Sequence, residues 1–98
     1  MTKLTPRQRQ IARAMIEGLS TAEIAVARGV AVGTVEWHVK QTLRAIGLEE
    51  AASRQHGYRA NLMALCAYAI THDAELIPAE SALGIALRHY RIRSKTSV

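Results

Sequence analysis

Ninety-eight residues suffice for one domain with a modest buried core, and leave little room for a separate sensory unit beside it. Hydrophobic residues make up 49% of the chain, phenylalanine is absent, β-branched runs are few and there are only two prolines, which favours an all-helical fold, while the single cysteine excludes an internal disulfide. The net charge of +5 is unevenly spread: +4 over residues 1–47, −3 over 48–80 and +4 over 81–98, so both ends suit a polyanion, although modest positive charge also serves ordinary solubility.

The N-terminal stretch MTKLTPRQRQ is polar and basic and does not read as a signal peptide, and the longest apolar stretch, Leu62 to Ile70, is too short to span a bilayer. With the lone Cys66, these features lead us to expect a cytoplasmic protein. The first helix should begin at Thr5, with Pro6 at its first position and Gln8 three residues on, a capping-box pattern. Ile11, Ala12, Met15 and Ile16 form its apolar stripe, Gly18 its left-handed stop, and Leu19 a plug behind it. A second capping box, Ser20 with Glu23, opens a short second helix in which Ala22, Ile24, Ala25 and Val26 should pack, and Gly29 ends it. At barely two turns, this helix must lean on neighbours.

The third helix has two distinct sides. With Val35 at 0° and about 100° per residue, Val35, Val39, Thr42, Leu43 and Ile46 share one arc. Gly33, Trp37, Lys40, Gln41 and Arg44 occupy the opposite arc, with Glu36 at its margin, and Gly47 closes the helix. Such a helix packs one face on a core and can offer the other to a DNA groove. Residues 48–58 read as either a short helix or a loop. A largely apolar helix follows from about Tyr58 to Thr71, suited to a core or to a second subunit. HDAEL breaks it, and Pro78 should open a final helix to about Tyr90, with Ala82, Leu83, Ala86, Leu87 and Tyr90 on one side. The tail RIRSKTSV is basic and expected to fray. The expected fold class is therefore all-α: a compact helical bundle of four core helices plus one C-terminal helix. Its expected division is a DNA-binding unit over residues 1–72 and an extension over 73–98.

The second helix, the turn at Gly29 and the third helix have the spacing of a helix-turn-helix. The motifs LTPRQ at Leu4–Gln8, EGLS at Glu17–Ser20, EIA at Glu23–Ala25 and GTVEWHVKQTLRAIG at Gly33–Gly47 sharpen that reading. Together they resemble the LuxR-type (GerE-like) DNA-binding domain of bacterial transcription regulators, here stand-alone with a C-terminal extension. The resemblance covers residues 4–47 closely, and Tyr58–Ile70 loosely resembles the family's fourth, dimerising helix. It implies that Glu36, Trp37 and Lys40 approach base edges, that Thr34, Gln41 and Arg44 lie near the DNA backbone, and that Ser20 and Thr21 approach phosphate at the positive end of a helix dipole. It also implies double-stranded DNA and a homodimer as partners and a nucleoid-associated location.

The chain departs from the family pattern in three places. Ala31 stands where a Ser or Thr cap is usual, at a cost of about 1 kcal/mol. Glu36 stands where lysine is frequent; it repels phosphate but can accept a hydrogen bond from cytosine N4. Residues 49–56 form an insertion, and the chain runs on past the family's usual end.

Several residues carry a second reading. Trp37 could meet a thymine methyl, or could be covered by the C-terminal extension or a second subunit. Lys40 and Arg44 could bind guanine or phosphate, or be solvated helix charges. His38, at the edge of the packed face, reads as a structural or backbone-contacting histidine rather than a metal ligand. His56, His72 and His89 have no zinc spacing with Cys66, and no nucleophile–base motif or phosphate-cradling glycine loop occurs, so neither metal, cofactor nor enzyme activity is expected. Arg88, Arg91, Arg93 and Lys95 could form a second phosphate-binding arm, a solubilising tail or a contact for RNA polymerase. The functional expectation is a sequence-specific transcriptional regulator, an activator that binds promoter DNA through its third helix and touches polymerase. The alternatives are a protein-interaction module that modulates RNA polymerase or another regulator without reading DNA, and a sigma-factor-like promoter reader.

Overall fold

The structure, a computed structural model, describes residues 4–48 and 57–96, with side chains through His89. Five α-helices follow in order: α1 (Pro6–Glu17), α2 (Thr21–Arg28), α3 (Val32–Ala45), α4 (Tyr58–His72) and α5 (Ala82–Thr96), with a 3-10 turn at Ala74–Leu76 between the last two. The described residues contain no strand, in keeping with the all-α expectation. The insertion at residues 49–56 lies outside the described residues.

Both expected capping boxes form. The Gln8 backbone N–H donates to Thr5 Oγ1 at 3.2 Å while the Thr5 N–H donates to Gln8 Oε1 at 3.0 Å. At α2 the Glu23 N–H donates to Ser20 Oγ at 3.1 Å and the Ser20 N–H to Glu23 Oε1 at 2.9 Å. Gly18, Gly29 and Gly47 adopt φ of 104°, 68° and 86°, the left-handed region in which glycine carries no Cβ penalty. Each closes its helix with the same paired bonds. Leu19 N–H donates to the Ala14 carbonyl, Val30 N–H to Ala25 and Leu48 N–H to Leu43, while the glycine N–H donates to Met15, Val26 or Arg44. This is the Schellman arrangement, and it satisfies carbonyls a helix end would otherwise leave open. Three-residue connections therefore suffice between α1 and α2 and between α2 and α3.

One hydrophobic core holds the elements together. It combines Leu4, Ile11, Ala12, Met15 and Ile16 with Ile24 and Ala25 of α2, Val35, Val39 and Leu43 of α3, Leu65 and Ala69 of α4, and Leu76 of the 3-10 turn. The most extensive helix pairing is α1 with α3, then α2 with α3, and α1 also touches α4, the 3-10 turn and α5. Helix α1 is thus the element shared by both halves.

Several packing expectations need correction. In α2 only Ile24 and Ala25 are buried; Ala22 is exposed and Val26 is 84% exposed. A helix of two turns meets its support along a narrow line, too narrow to cover four apolar residues. In α4, Met63 and Ile70 face solvent, because the core reaches this helix only through Leu65 and Ala69, with Leu62 and Cys66 half-buried. Burial pushes the Cys66 thiol pKa up, which keeps it protonated and unreactive.

The final helix starts later and runs further than its proline suggests. Pro78 lies in a turn, and the cap is Ser81: its Oγ accepts from the Gly84 N–H at 3.0 Å and its hydroxyl donates to the Pro78 carbonyl at 2.6 Å. Helix α5 continues to Thr96, past both Tyr90 and the expected fraying point, and Ala82 at its start is exposed. Gly84 is buried against the turn; a Cβ there would lie 3.0 Å from the Ala79 carbonyl oxygen and closer still to that of Pro78. Glycine to alanine within a helix ordinarily stabilises by about 1 kcal/mol. Gly84→Ala should instead destabilise by roughly 1–3 kcal/mol, because neither backbone oxygen can yield without moving the turn. Thermal melting followed by circular dichroism checks the sign.

Long-range polar contacts fasten the segment after α4 to α1. Arg9 Nη1 donates to Asp73 Oδ2 at 2.7 Å, and Arg9 Nη2 lies 3.6 Å from Glu75 Oε2. Arg13 donates to the Glu75 carbonyl. The hydrogen bond that Arg9 donates to Asp73 raises the Arg9 pKa further, so the cation in this clasp stays charged at any physiological pH.

Candidate nucleic-acid interface

Helix α3 is held from behind. Val35 and Leu43 are fully buried and Val39 is 4% exposed, which fixes the rotation of the helix about its axis. Thr42, also buried, donates from Oγ1 to the His38 carbonyl one turn back at 2.8 Å, so its hydroxyl is satisfied within the helix. Ala31 provides no side-chain cap, and the first turn of α3 is closed at its start only by the Thr34 and Val35 N–H groups bonding to the Ala31 carbonyl.

The other side of α3 faces outward. Thr34, Glu36, Lys40 and Arg44 are exposed, Gln41 is half-buried and Trp37 is 57% exposed. The indole is steadied by an edge-on contact with the half-buried His38 ring, their centroids 5.2 Å apart and planes at 72°. Among the described residues, neither the Glu36 carboxylate nor the Lys40 ammonium pairs with another side chain, although they lie one turn apart.

The start of α2 reaches the same surface. Thr21, Glu36, Val39 and Lys40 line a shallow hollow of about 170 Å³ together with Tyr58 and Asn61 of α4. Ser20 is exposed beside it. The Ser20 oxygen accepts from the Glu23 N–H. Hydrogen bonds from the Ser20 backbone and then its side chain hold the Glu23 carboxyl below the usual carboxylate range. That carboxylate is tied back to the Ser20 N–H.

The structure thus gathers Thr21, Glu36 and Lys40 around one hollow and leaves Trp37 and Arg44 open on the same outward side of α3. Tyr58 and Asn61 were not among the sequence candidates. The Tyr58 hydroxyl donates to the Leu19 carbonyl, seating the start of α4 against the α1–α2 connection, and burial raises its pKa. Asn61, which lines the hollow, has its Oδ1 buried with no hydrogen-bond partner among the described residues. No local pattern marks either residue, since both act through segments distant in sequence.

The profile of the family described as "Bacterial regulatory proteins, luxR family" (GerE) matches residues 2–63. The chain belongs to this family. Comparison with curated proteins, and separately with solved structures, finds no match. GerE domains are DNA-binding modules of transcription regulation rather than enzymes, and the match takes in α1–α3 and the start of α4. The rest of α4, the 3-10 turn and α5 lie beyond the matched GerE segment, clasped to it by Arg9 and Arg13. No helix among the described residues is long and apolar enough to cross a membrane.

Proposed function

We propose that this chain is a sequence-specific regulator that binds promoter DNA with α3 in the major groove and acts as an activator touching RNA polymerase. The observation that carries the reading is the division of α3, with Val35, Val39 and Leu43 sealed in the core and Trp37, Lys40 and Arg44 open to solvent. In that docking Glu36, Trp37 and Lys40 meet base edges, while Thr34, Gln41 and Arg44 lie along the backbone. The first turn of α2 supplies Ser20 and Thr21 to a phosphate, where the helix dipole favours an anion. Mobility-shift titration of specific against scrambled duplexes, at several salt concentrations, tests it; affinity that ignores both sequence and salt would sink it.

The outer face of α4 supports a homodimer. Ala60, Met63, Ala67 and Ile70 fall at positions i, i+3, i+7 and i+10 and are all exposed, an apolar stripe that a second copy would cover. Two copies also place two reading helices on one site, which a single short helix needs for useful specificity. Met63→Asp combined with Ile70→Asp should yield a monomer by light scattering, with operator affinity down about tenfold or more and little change in melting temperature, since both positions are already wet. The second reading, a module that binds polymerase or another regulator without reading DNA, draws support from the exposed Val26, Val30 and Val32 around the α2–α3 turn. Co-purification with such a partner, alongside failure to bind any duplex, would favour it.

A further inference from the structure

We infer that Glu36 is the residue that selects a base, and that the base is cytosine; this rests on the docking of α3 in the major groove. Glu36 is exposed on the outward side of α3, between the buried Val35 and the exposed Trp37, and one turn from Lys40. Its carboxylate is engaged by no other described side chain, Lys40 included, so its acceptor capacity is unspent. A carboxylate with structural duty would be tied back, as Glu23 is to the Ser20 N–H and Asp73 is to Arg9.

On a surface that approaches a polyanion, an unpaired carboxylate is repelled unless it finds a donor. The major groove offers only two amino groups, N4 of cytosine and N6 of adenine. An ionised carboxylate accepts and cannot donate. At adenine the N6 amine stands beside the acceptor N7, which a carboxylate faces unfavourably and an amide satisfies. At cytosine N4 stands without a neighbouring acceptor on the same base. Guanine and thymine present O6, N7 and O4, acceptors that oppose Glu36 outright. Glu36 therefore works by attraction to one base and by repulsion from the others, and the repulsion makes the selection steep. Lys40, a donor one turn along, has the opposite preference and suits guanine, so the two residues read complementary chemistry within one groove segment.

Selection from randomised duplexes with the full chain and with Glu36→Gln and Glu36→Ala tests the assignment. The wild-type chain should enrich one cytosine position, with guanine at that position weakening binding on the order of 10- to 100-fold. Glu36→Gln should move the preference at that position to adenine, and Glu36→Ala should flatten it to within about twofold, while every other position keeps its base. Circular dichroism should show unchanged helix content, since the side chain is exposed. The same base preferences in all three proteins would overturn the assignment while leaving DNA reading intact. A wild-type chain that enriches no sequence at all would overturn both.

Discussion

Lys40→Ala combined with Arg44→Ala should reduce affinity for a specific duplex by roughly 10- to 100-fold at moderate salt, while the protein keeps its fold. The two side chains are exposed one turn apart on α3 and contribute nothing to the core. Their loss therefore leaves the melting temperature nearly unchanged, as surface substitutions usually do. On DNA, each cation that neutralises a phosphate releases condensed counterions, and removing it lowers the slope of log affinity against log salt by about 0.9. If Arg44 lies on the backbone and Lys40 on a base, the double variant should lose about one such unit of slope together with discrimination at one position. A loss of two units, with discrimination intact, would assign both to phosphate. Binding measured by fluorescence anisotropy over a series of salt concentrations separates these outcomes, and an unchanged affinity would remove α3 from the interface.

Leu43→Ala attacks the same function from the opposite side of the helix. Leu43 is fully buried and shares the core with residues of α1, α2 and α4. Truncating such a leucine removes its transfer energy and leaves a cavity, together about 3–5 kcal/mol. For a domain of this size each kcal/mol shifts the melting temperature by roughly 4–8 °C, so a fall of about 12 °C or more is expected. Against a total stability on the order of 5–15 kcal/mol, that loss leaves a fraction of the molecules unfolded at physiological temperature. DNA affinity should fall with it and recover on cooling or on addition of operator, because ligand binding to the folded state restores it by mass action. The Lys40 and Arg44 double variant should show no such recovery. Melting curves with and without duplex distinguish the two mechanisms.

Much of the first half of the fold is legible in local chemistry. Thr5, Gln8, Ser20 and Glu23 announce two capping boxes, and Gly18, Gly29 and Gly47 announce three left-handed stops, all of which form. The two faces of α3 follow from its period alone, because Val35, Val39 and Leu43 recur at helical spacing. What escapes sequence reading depends on tertiary neighbours. Val26 and Met63 are apolar but exposed, because no other described element covers their side of the helix. Pro78 looks like a helix start, yet the buried Ser81 offers a better cap three residues later. The Arg9–Asp73 pair joins positions 64 apart, a distance over which no pattern speaks. The same holds at the hollow beside α3, where Thr21, Glu36 and Lys40 were sequence candidates but Tyr58 and Asn61, supplied by α4, carry no local signal.

The chain contains a single tryptophan, and that residue stands on the outward face of α3, 57% exposed with only the His38 ring against its edge. Indole emission from this molecule therefore comes from one place, and that place is the outward face of α3. The protein is intrinsically labelled where a label is most useful: light excited in the indole band reports the local wetness of the proposed contact surface, without a dye and without background from the interior.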